Sequence, residues 1–401
     1  MPTLFSCYKT MRQPLSQTTA LRTFAVVSLF ILGTQFCQTL VTRRISPLKP
    51  ISKPQVEGIR PEKQENDQAR LLLAPNVAET ELQMQAPYPP KDSNLKPTVR
   101  IKVMTGHYYD QDYSGVTPCT KKMKSSEQTL ICEYGTELPI EEADALWYFG
   151  PFVTGSIDPP HHNHTKIVMS LEPSSYYPQL DNPDFMSQFK YKMTYRLNSD
   201  VPLLYEVMDI RTPFEPNLPS FKDRKASVSF VNRNCDALNG RSEIVRALMT
   251  AGVPVDAAGL CLHNTDSTDQ VDKRLEFQTH RVCVSIENSN TIDYVSEKIW
   301  DAYRNGCVPI YMGAPNAVAD FLPAEDSVIM AEKYSAVGLA EEVRRVLASE
   351  AAFEGYMAWK KRPLHQLSKG YQKLLKWSEE PHSRCRMCRI IYKEQLEKEA
   401  S

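Results

Sequence analysis

Beyond Lys222 the chain alternates between two periodicities, and this narrows the possible folds more than any other feature. Residues 227–231 and 282–286 are short apolar runs of strand length. Ile244, Val245, Leu248 and Met249 recur at helical spacing over 240–251, as do Ile299, Trp300 and Tyr303 over 295–305. Gly306 stands where a helix C-cap belongs, a strand resumes over 307–311, and 339–347 reads as another amphipathic helix. Upstream, 99–104, 145–149 and 166–171 are strand candidates. Strand and helix repeated in this way imply an α/β fold with parallel sheets of Rossmann type. Two such sheets, divided near residue 220, leave a cleft with ligand groups at the strand ends. No G-x-G-x-x-G or G-x-x-x-x-G-K-[ST] loop occurs, which argues against an ordinary dinucleotide or P-loop site.

The first hundred residues follow other rules. Residues 23–42 carry no charge and have a dense apolar core over 24–32, about one bilayer span of roughly 20 residues. No small-x-small cleavage site follows, so the segment reads as a signal anchor rather than a cleaved leader. Lys9, Arg12 and Arg22 on one side nearly balance Arg43, Arg44 and Lys49 on the other, and charge alone leaves the orientation open. From 43 to 97 prolines recur from Pro47 to Pro97 and Tyr88 is the only aromatic residue, a composition that suits a stem. The expected layout is a cytoplasmic tail (1–22), an anchor (23–42), a stem (43–97) and folded domains over 98–220 and 221–365. A C-terminal segment (366–401) with Cys385-x-x-Cys388 completes it. A net charge of −1 argues against nucleic acid as a partner.

Two polar loops interrupt the alternation where strands meet helices. In 286–298, Glu287 and Glu297 can accept from sugar hydroxyls, and Lys298 can sit near a diphosphate beside a helix N-terminus. In 234–241, Arg241 can offer a planar fork to phosphate oxygens. Either loop alone also fits a capped helix with solvated charges.

Together these residues resemble the signature of the α-1,3-fucosyltransferases, glycosyltransferase family 10. The resemblance rests on Asn234-Cys235 with Asn239-Gly240-Arg241, on Glu287-Asn288-Ser289, and on Asp293-Tyr294-Val295-Ser296-Glu297-Lys298. Val308-Pro309 with Gly313-Ala314-Pro315, Met193-Thr194-Tyr195-Arg196 and the C-terminal Cys385-x-x-Cys388 extend it in colinear order over roughly 99–390. It implies a GT-B fold, with an N-terminal acceptor domain, a C-terminal donor domain and GDP-fucose between them.

The resemblance also implies roles. Glu172, in Ser170-Leu171-Glu172-Pro173-Ser174, takes the place of the catalytic base. Arg241 and Lys298 neutralise the diphosphate, and Asn234, Glu287, Asn288, Tyr294 and Glu297 line the donor pocket. His161, His162, Tyr195 and Arg196 are acceptor-side candidates. Cys385 and Cys388 are expected to pair with Cys119 and Cys132, and Cys235 with Cys261. The sequence departs from the family pattern at Arg233, Ile286, Ser296, Leu197 and Pro173, which bears on acceptor choice more than on the reaction. The chain is thus expected to transfer fucose to a GlcNAc hydroxyl of glycoprotein glycans, as a single-pass type II protein of the Golgi membrane with a luminal catalytic domain. No cofactor or metal is expected. A GT-B enzyme with another donor and a tethered glycan-binding protein without catalysis are the alternatives, the last disfavoured by the diphosphate clamp.

Other clusters read blandly. Asp110 and Asp112 form an Asp-x-Asp that could hold a divalent cation but lie in a Tyr-rich loop. His161, His162 and His164 lack further ligands at zinc spacing and surround Asn163, the chain's one N-glycosylation sequon.

Overall fold

Every strand in the computed structural model is explained by what covers its faces. The structure describes residues 97–400 apart from 106–113, 124–125, 156, 158–162, 206–217, 267–270 and 379–381. The expected tail, the expected anchor and nearly all of the expected stem lie outside the described residues, as do Cys7, Cys37, Asp110, Asp112, His161 and His162. Among the described residues no helix is long and apolar enough to cross a membrane.

The first sheet contains β1 (Thr98–Val103), β2 (Gly115–Met123), β3 (Ser126–Gly135), β4 (Ala145–Phe149), β5 (Thr165–Ser170) and β6 (Tyr191–Thr194), in the order β2-β3-β1-β4-β5-β6. It is parallel except that β2 returns antiparallel along β3. All five residues of β4 are buried because both its faces are covered. Trp147 and Phe149 pack to one side, and Leu146 and Tyr148 meet Leu180, Phe185 and Phe189 on the other. β1 instead alternates, with Val99, Ile101 and Val103 inward and Arg100 outward, where it pairs with Glu133 at 3.3 Å. Among the described residues no helix between β1 and β6 exceeds four residues, so this sheet departs from the regular strand–helix alternation expected of it.

The second sheet keeps that alternation. β7 (Lys225–Phe230), β8 (Val255–Ala257), β9 (His280–Val284), β10 (Val308–Tyr311) and β11 (Ile329–Met330) are parallel, in the order β11-β10-β9-β7-β8. They are joined and covered by α1 (Arg241–Thr250), α2 (Lys273–Thr279), α3 (Glu297–Asn305), α4 (Ala336–Ala348) and α5 (Glu350–Met357). α1 and α4 pack on one face through Val245, Leu248, Leu339 and Val343. α3 packs on the other through Ile299, Trp300 and Tyr303. Gly306 ends α3 at φ +71°, donating its N–H to the Ala302 carbonyl at 2.9 Å. A β-carbon there would stand 2.7 Å from Leu218 Cδ1, so both backbone and packing require glycine.

The C-terminal segment divides between the two halves. α6 (Lys369–Trp377) packs Tyr371, Leu374 and Trp377 beneath α3. α7 (Ser383–Glu399) returns to the first sheet, where Met387, Cys388, Ile390 and Ile391 join Val99, Ile101 and Trp147. It supplies the cover that the missing crossover helices leave out. Thr165 and Tyr191 donate to its buried Glu394 at 2.8 and 2.7 Å.

Four disulfides fasten this arrangement. Cys119–Cys385 and Cys132–Cys388 tie β2 and β3 to α7, and Cys235–Cys261 joins the loops after β7 and β8. The fourth, Cys283–Cys307, links β9 to the residue before β10 and had no sequence signal, because both cysteines sit in runs that read as core. Its loop of 24 residues stabilises the fold by about 3 kcal/mol through the unfolded-state chain entropy. Replacing both cysteines by alanine should therefore lower the urea midpoint. Non-reducing peptide mapping should recover all four bridges, and a free Cys283 thiol would refute the fourth.

Candidate active site

The strand ends of the two sheets face each other across three short loops. At the end of β9 the chain continues through Ser285 and Ile286 to Glu287, whose side chain is completely buried. A buried carboxylate needs partners, and Glu287 has three. Ser296 donates its N–H to Oε1 at 2.8 Å and its hydroxyl to Oε2 at 2.6 Å, and Lys298 Nζ lies 3.3 Å from Oε2. Glu287 thus caps α3 from outside the helix, completing an N-terminus whose own Ser296 side chain caps nothing. Space for it exists because residue 313, next along β10, is glycine: a β-carbon there would stand 2.6 Å from Glu287 Cγ. The expectation that Glu287 accepts from sugar hydroxyls is therefore corrected. Its oxygens face the helix start.

Lys298 is held by Ser296 Oγ at 2.7 Å and Glu297 Oε1 at 3.2 Å, with 15% of its side chain exposed. Burial works against its charge, but Glu287 and Glu297 outweigh this and push its pKa up. Glu297 is the exposed member of the group, with 40% of its side chain in solvent. Burial raises its pKa, yet Lys298 and then Lys273 dominate and bring it down to about 2. Lys273 lies 3.8 Å from Glu297 and 2.8 Å from Asp301.

Arg241 is only 1% exposed, so the expected phosphate fork is also corrected. Nη1 donates to the Ile286 carbonyl at 3.0 Å and Nη2 to the Asn234 carbonyl at 2.7 Å. The guanidinium ties the two loops together from beneath, and its burial pushes its pKa down. Three buried polar atoms of these loops have no hydrogen-bond partner: Arg241 Nε, Asn239 Oδ1 and Asn288 Oδ1. Asn239 is oriented by the Glu287 carbonyl at 3.0 Å and Asn290 at 2.9 Å.

The first sheet presents the turn after β5. The Glu172 N–H donates to Ser170 Oγ at 3.0 Å, and the Ser170 hydroxyl donates to the Glu172 carbonyl at 2.9 Å, which fixes the backbone of the turn. The Glu172 charge helps push up the pKa of Tyr294, for which burial is the larger cause. Lys298 works against this shift and Glu287 adds to it. Further contacts close the same cleft. Tyr176 donates to the Asn288 carbonyl and receives from Asn234 Nδ2, both at 3.3 Å, and Thr291 donates to Ser175 Oγ at 3.0 Å.

Tyr195 and Arg196, expected on the acceptor side, support this turn. Tyr195 is 2% exposed, accepts from the Ser174 N–H at 3.0 Å and packs edge-on against Tyr294 at 5.5 Å. Arg196 donates to Ser174 Oγ at 3.3 Å and Asp181 Oδ1 at 2.8 Å. Asn163 stands exposed just before β5. Sequence reasoning missed Tyr176 and Tyr205. Tyr205 donates to the Leu171 carbonyl and packs 6.0 Å from Tyr294, and a lone tyrosine before a polar stretch carries no signal. Among the described residues no group of His, Cys, Asp or Glu is placed to hold a metal ion. A separate cavity of about 710 Å³ lies along β11 and α5, lined in part by Tyr334 and Tyr356, and shares no residue with this cleft.

Comparison with known proteins bears on the second half. Residues 221–401 match the family described as glycosyltransferase family 10 (fucosyltransferase) C-term. A putative fucosyltransferase-like protein of Arabidopsis thaliana is 31% identical over 227 residues, covering 55% of this chain and 42% of that protein. GDP-fucose protein O-fucosyltransferase 3 of Homo sapiens is 27% identical over 235 residues, covering 54% and 48%. The chain spans less than half the length of these curated relatives. A solved α1,3-fucosyltransferase with GDP aligns over 76% of this chain and 98% of its own, at 18% identity and a TM-score of 0.48.

Two predictions follow from the carboxylate cluster. Glu287→Ala strands Lys298 and two Ser296 donors and should cost about 3–5 kcal/mol in urea denaturation, whereas Glu287→Gln keeps an acceptor and should cost less. An equal loss for both variants would mean that shape rather than hydrogen bonding matters there. For Glu297, a folded pKa of about 2 against an ordinary 4.5 means that its pairing stabilises the fold above pH 4.5 and is lost as the pH falls towards 2. The stability difference between wild type and Glu297→Gln should shrink between about pH 5 and pH 3, muted by solvent screening at this half-exposed position.

Proposed function

We propose that this chain, whose residues 221–401 match the glycosyltransferase family 10 (fucosyltransferase) C-terminal domain, transfers L-fucose from GDP-fucose to a hydroxyl acceptor. The observation that carries this reading is that the turn holding Glu172 is bound by Tyr195 and Tyr205, whose rings both pack on Tyr294, four residues before Lys298. A carboxylate on one side of a cleft and an ammonium at a helix start on the other are what an inverting displacement at a sugar carbon needs.

In this reading the β-linked fucose of GDP-fucose is attacked in line. Glu172 takes the proton of the acceptor hydroxyl as the new α bond forms, and the bond to GDP breaks with an oxocarbenium-like transition state. The departing diphosphate carries growing negative charge, which Lys298 and the N–H groups at the start of α3 stabilise without a metal. Phosphate contacts replace the Lys298–Glu297 pairing and free the exposed Glu297 for ribose hydroxyls. The unpartnered Asn239 Oδ1 and Asn288 Oδ1 are acceptors that N–H and O–H groups of GDP-fucose can satisfy. Asn234 and Tyr294 complete the donor side, and His161 and His162 remain acceptor-side candidates. The two sheets serve as the acceptor and donor halves of a GT-B architecture.

The acceptor we propose is the O3 hydroxyl of GlcNAc in a glycoprotein glycan, reached in the Golgi lumen by a type II membrane protein anchored through 23–42. A second acceptor, the Ser or Thr hydroxyl of a polypeptide, is favoured by the names of the relatives that share this domain. Both use the same donor chemistry and differ only in the nucleophile.

The deciding experiment is transfer from GDP-fucose, with EDTA present, to a core N-glycan glycopeptide, to N-acetyllactosamine and to unglycosylated folded acceptor proteins, with product linkage read by NMR. Transfer to a glycan establishes the first acceptor and transfer to a protein hydroxyl the second. Failure to bind GDP would refute the reading altogether. Glu172→Gln should cut turnover by about 10²–10⁴ while leaving GDP affinity within about threefold. A variant with near-wild-type turnover would remove Glu172 from the mechanism.

A further inference from the structure

Asp293 stands at a backbone position that few residues other than glycine adopt. Its φ is +66°, in the left-handed region, and among the described residues only one other non-glycine residue, Leu262, shares this conformation. Such a conformation costs about 1–3 kcal/mol and persists only when its surroundings hold it. Here the surroundings are explicit. Asp293 Oδ2 accepts from the Leu197 N–H at 3.1 Å, and Oδ1 accepts from Asn316 Nδ2 at 2.7 Å. Asn316 Oδ1 in return accepts the Asp293 N–H at 2.9 Å, and its amide also reaches Asp320 at 2.8 Å. The carboxylate is 9% exposed.

These three residues, Asp293 and its two partners, come from different parts of the fold. Leu197 follows β6 of the first sheet, Asn316 begins the helical turn after β10, and Asp293 lies in the loop between β9 and α3. Tyr294, the next residue, carries the ring that meets Tyr195 and Tyr205. Tyr195 in turn holds the N–H of Ser174, two residues beyond Glu172. Lys298 lies a little over one helical turn beyond Tyr294. A single buried carboxylate therefore joins the segment supporting the base to the segment presenting the cation.

We propose that Asp293 is a positioning residue for the transfer reaction, a latch that sets the Glu172 turn against the start of α3 through its bonds to Leu197 and Asn316. The inference rests on the fucosyl-transfer reading for its catalytic consequence and on the hydrogen-bond geometry for its structural one. Both carboxylate oxygens of Asp293 are taken by protein partners. Its contribution is the registration of groups that touch substrate, where a misplacement of about 1 Å costs roughly a hundredfold in rate.

Asp293→Gly separates backbone from carboxylate, because glycine adopts the left-handed conformation freely and removes both acceptors. GDP-fucose turnover, GDP affinity and hydrogen exchange are measured on the full chain for wild type, Asp293→Gly and Asp293→Asn. The glycine variant should lose about tenfold to a hundredfold in kcat, with GDP Kd within about threefold of wild type. Exchange should accelerate across 172–177 and 194–199. Asparagine tolerates the backbone and can satisfy Leu197, but turns an amide donor towards the Asn316 amide, so its loss should be intermediate. A lowered thermal midpoint with unchanged turnover per folded molecule would show a purely structural role and overturn the proposal. Unchanged exchange over both segments would overturn the latch itself. Absence of any fucosyl transfer by wild type, with faster exchange in the glycine variant, would refute the functional reading and leave the latch standing.

Discussion

The architecture around the cleft depends on one buried carboxylate. Glu287 ends the central strand of the second sheet with no exposure to solvent, and an ionised group in that position is tolerable only when its oxygens are fully engaged. The Ser296 N–H and hydroxyl and the Lys298 ammonium engage them. This one requirement fixes where α3 starts and which way Lys298 points. It also explains why residue 313 cannot carry a β-carbon. Arg241 reinforces the arrangement by bonding the Ile286 carbonyl immediately before Glu287. A helix N-terminus held from outside by a strand end is a rigid platform, and rigidity is what electrostatic stabilisation of a leaving group requires.

The second constraint is coverage of the first sheet. Its described connections lack long helices, so the apolar face of β1, β3 and β4 needs a cover from elsewhere in the chain. α7 provides it from the far end of the sequence, and two disulfides hold it there. The C-terminal helix is thus a core element of the N-terminal half. The chain crosses the cleft twice, once after β6 and once before α7, which limits how far the two sheets can separate. The Asp293 bonds to Leu197 add a non-covalent tie at the same seam.

How much of this was legible depended on range. The strands over 145–149 and 227–231 and the helices over 240–251 and 295–305 appear within about two residues of their expected bounds, because local periodicity and caps determine them. Gly306 reads as a C-cap and is one. β2 and β3 escaped notice, since their mixed polar sequence reflects an edge hairpin with one face in water. The candidate residues Glu172, Asn234, Tyr294, Glu297 and Lys298 could be named from motifs. The burial of Glu287 and Arg241, and hence their service to the backbone, could not, because a polar residue in a loop looks the same whether it faces solvent or a carbonyl.

By itself the sequence determined the α/β character, the cysteine pairs implied by resemblance and the polar loops where strands meet helices. These follow from short-range patterns and from residue types whose spacing carries meaning. Only the tertiary structure decided which charges face the cleft and which hold it together, where α7 packs, that Cys283 meets Cys307, and that Asp293 bridges the two halves. Those facts depend on contacts between residues from tens to more than two hundred positions apart, whose energies are set by burial and geometry that no local pattern encodes.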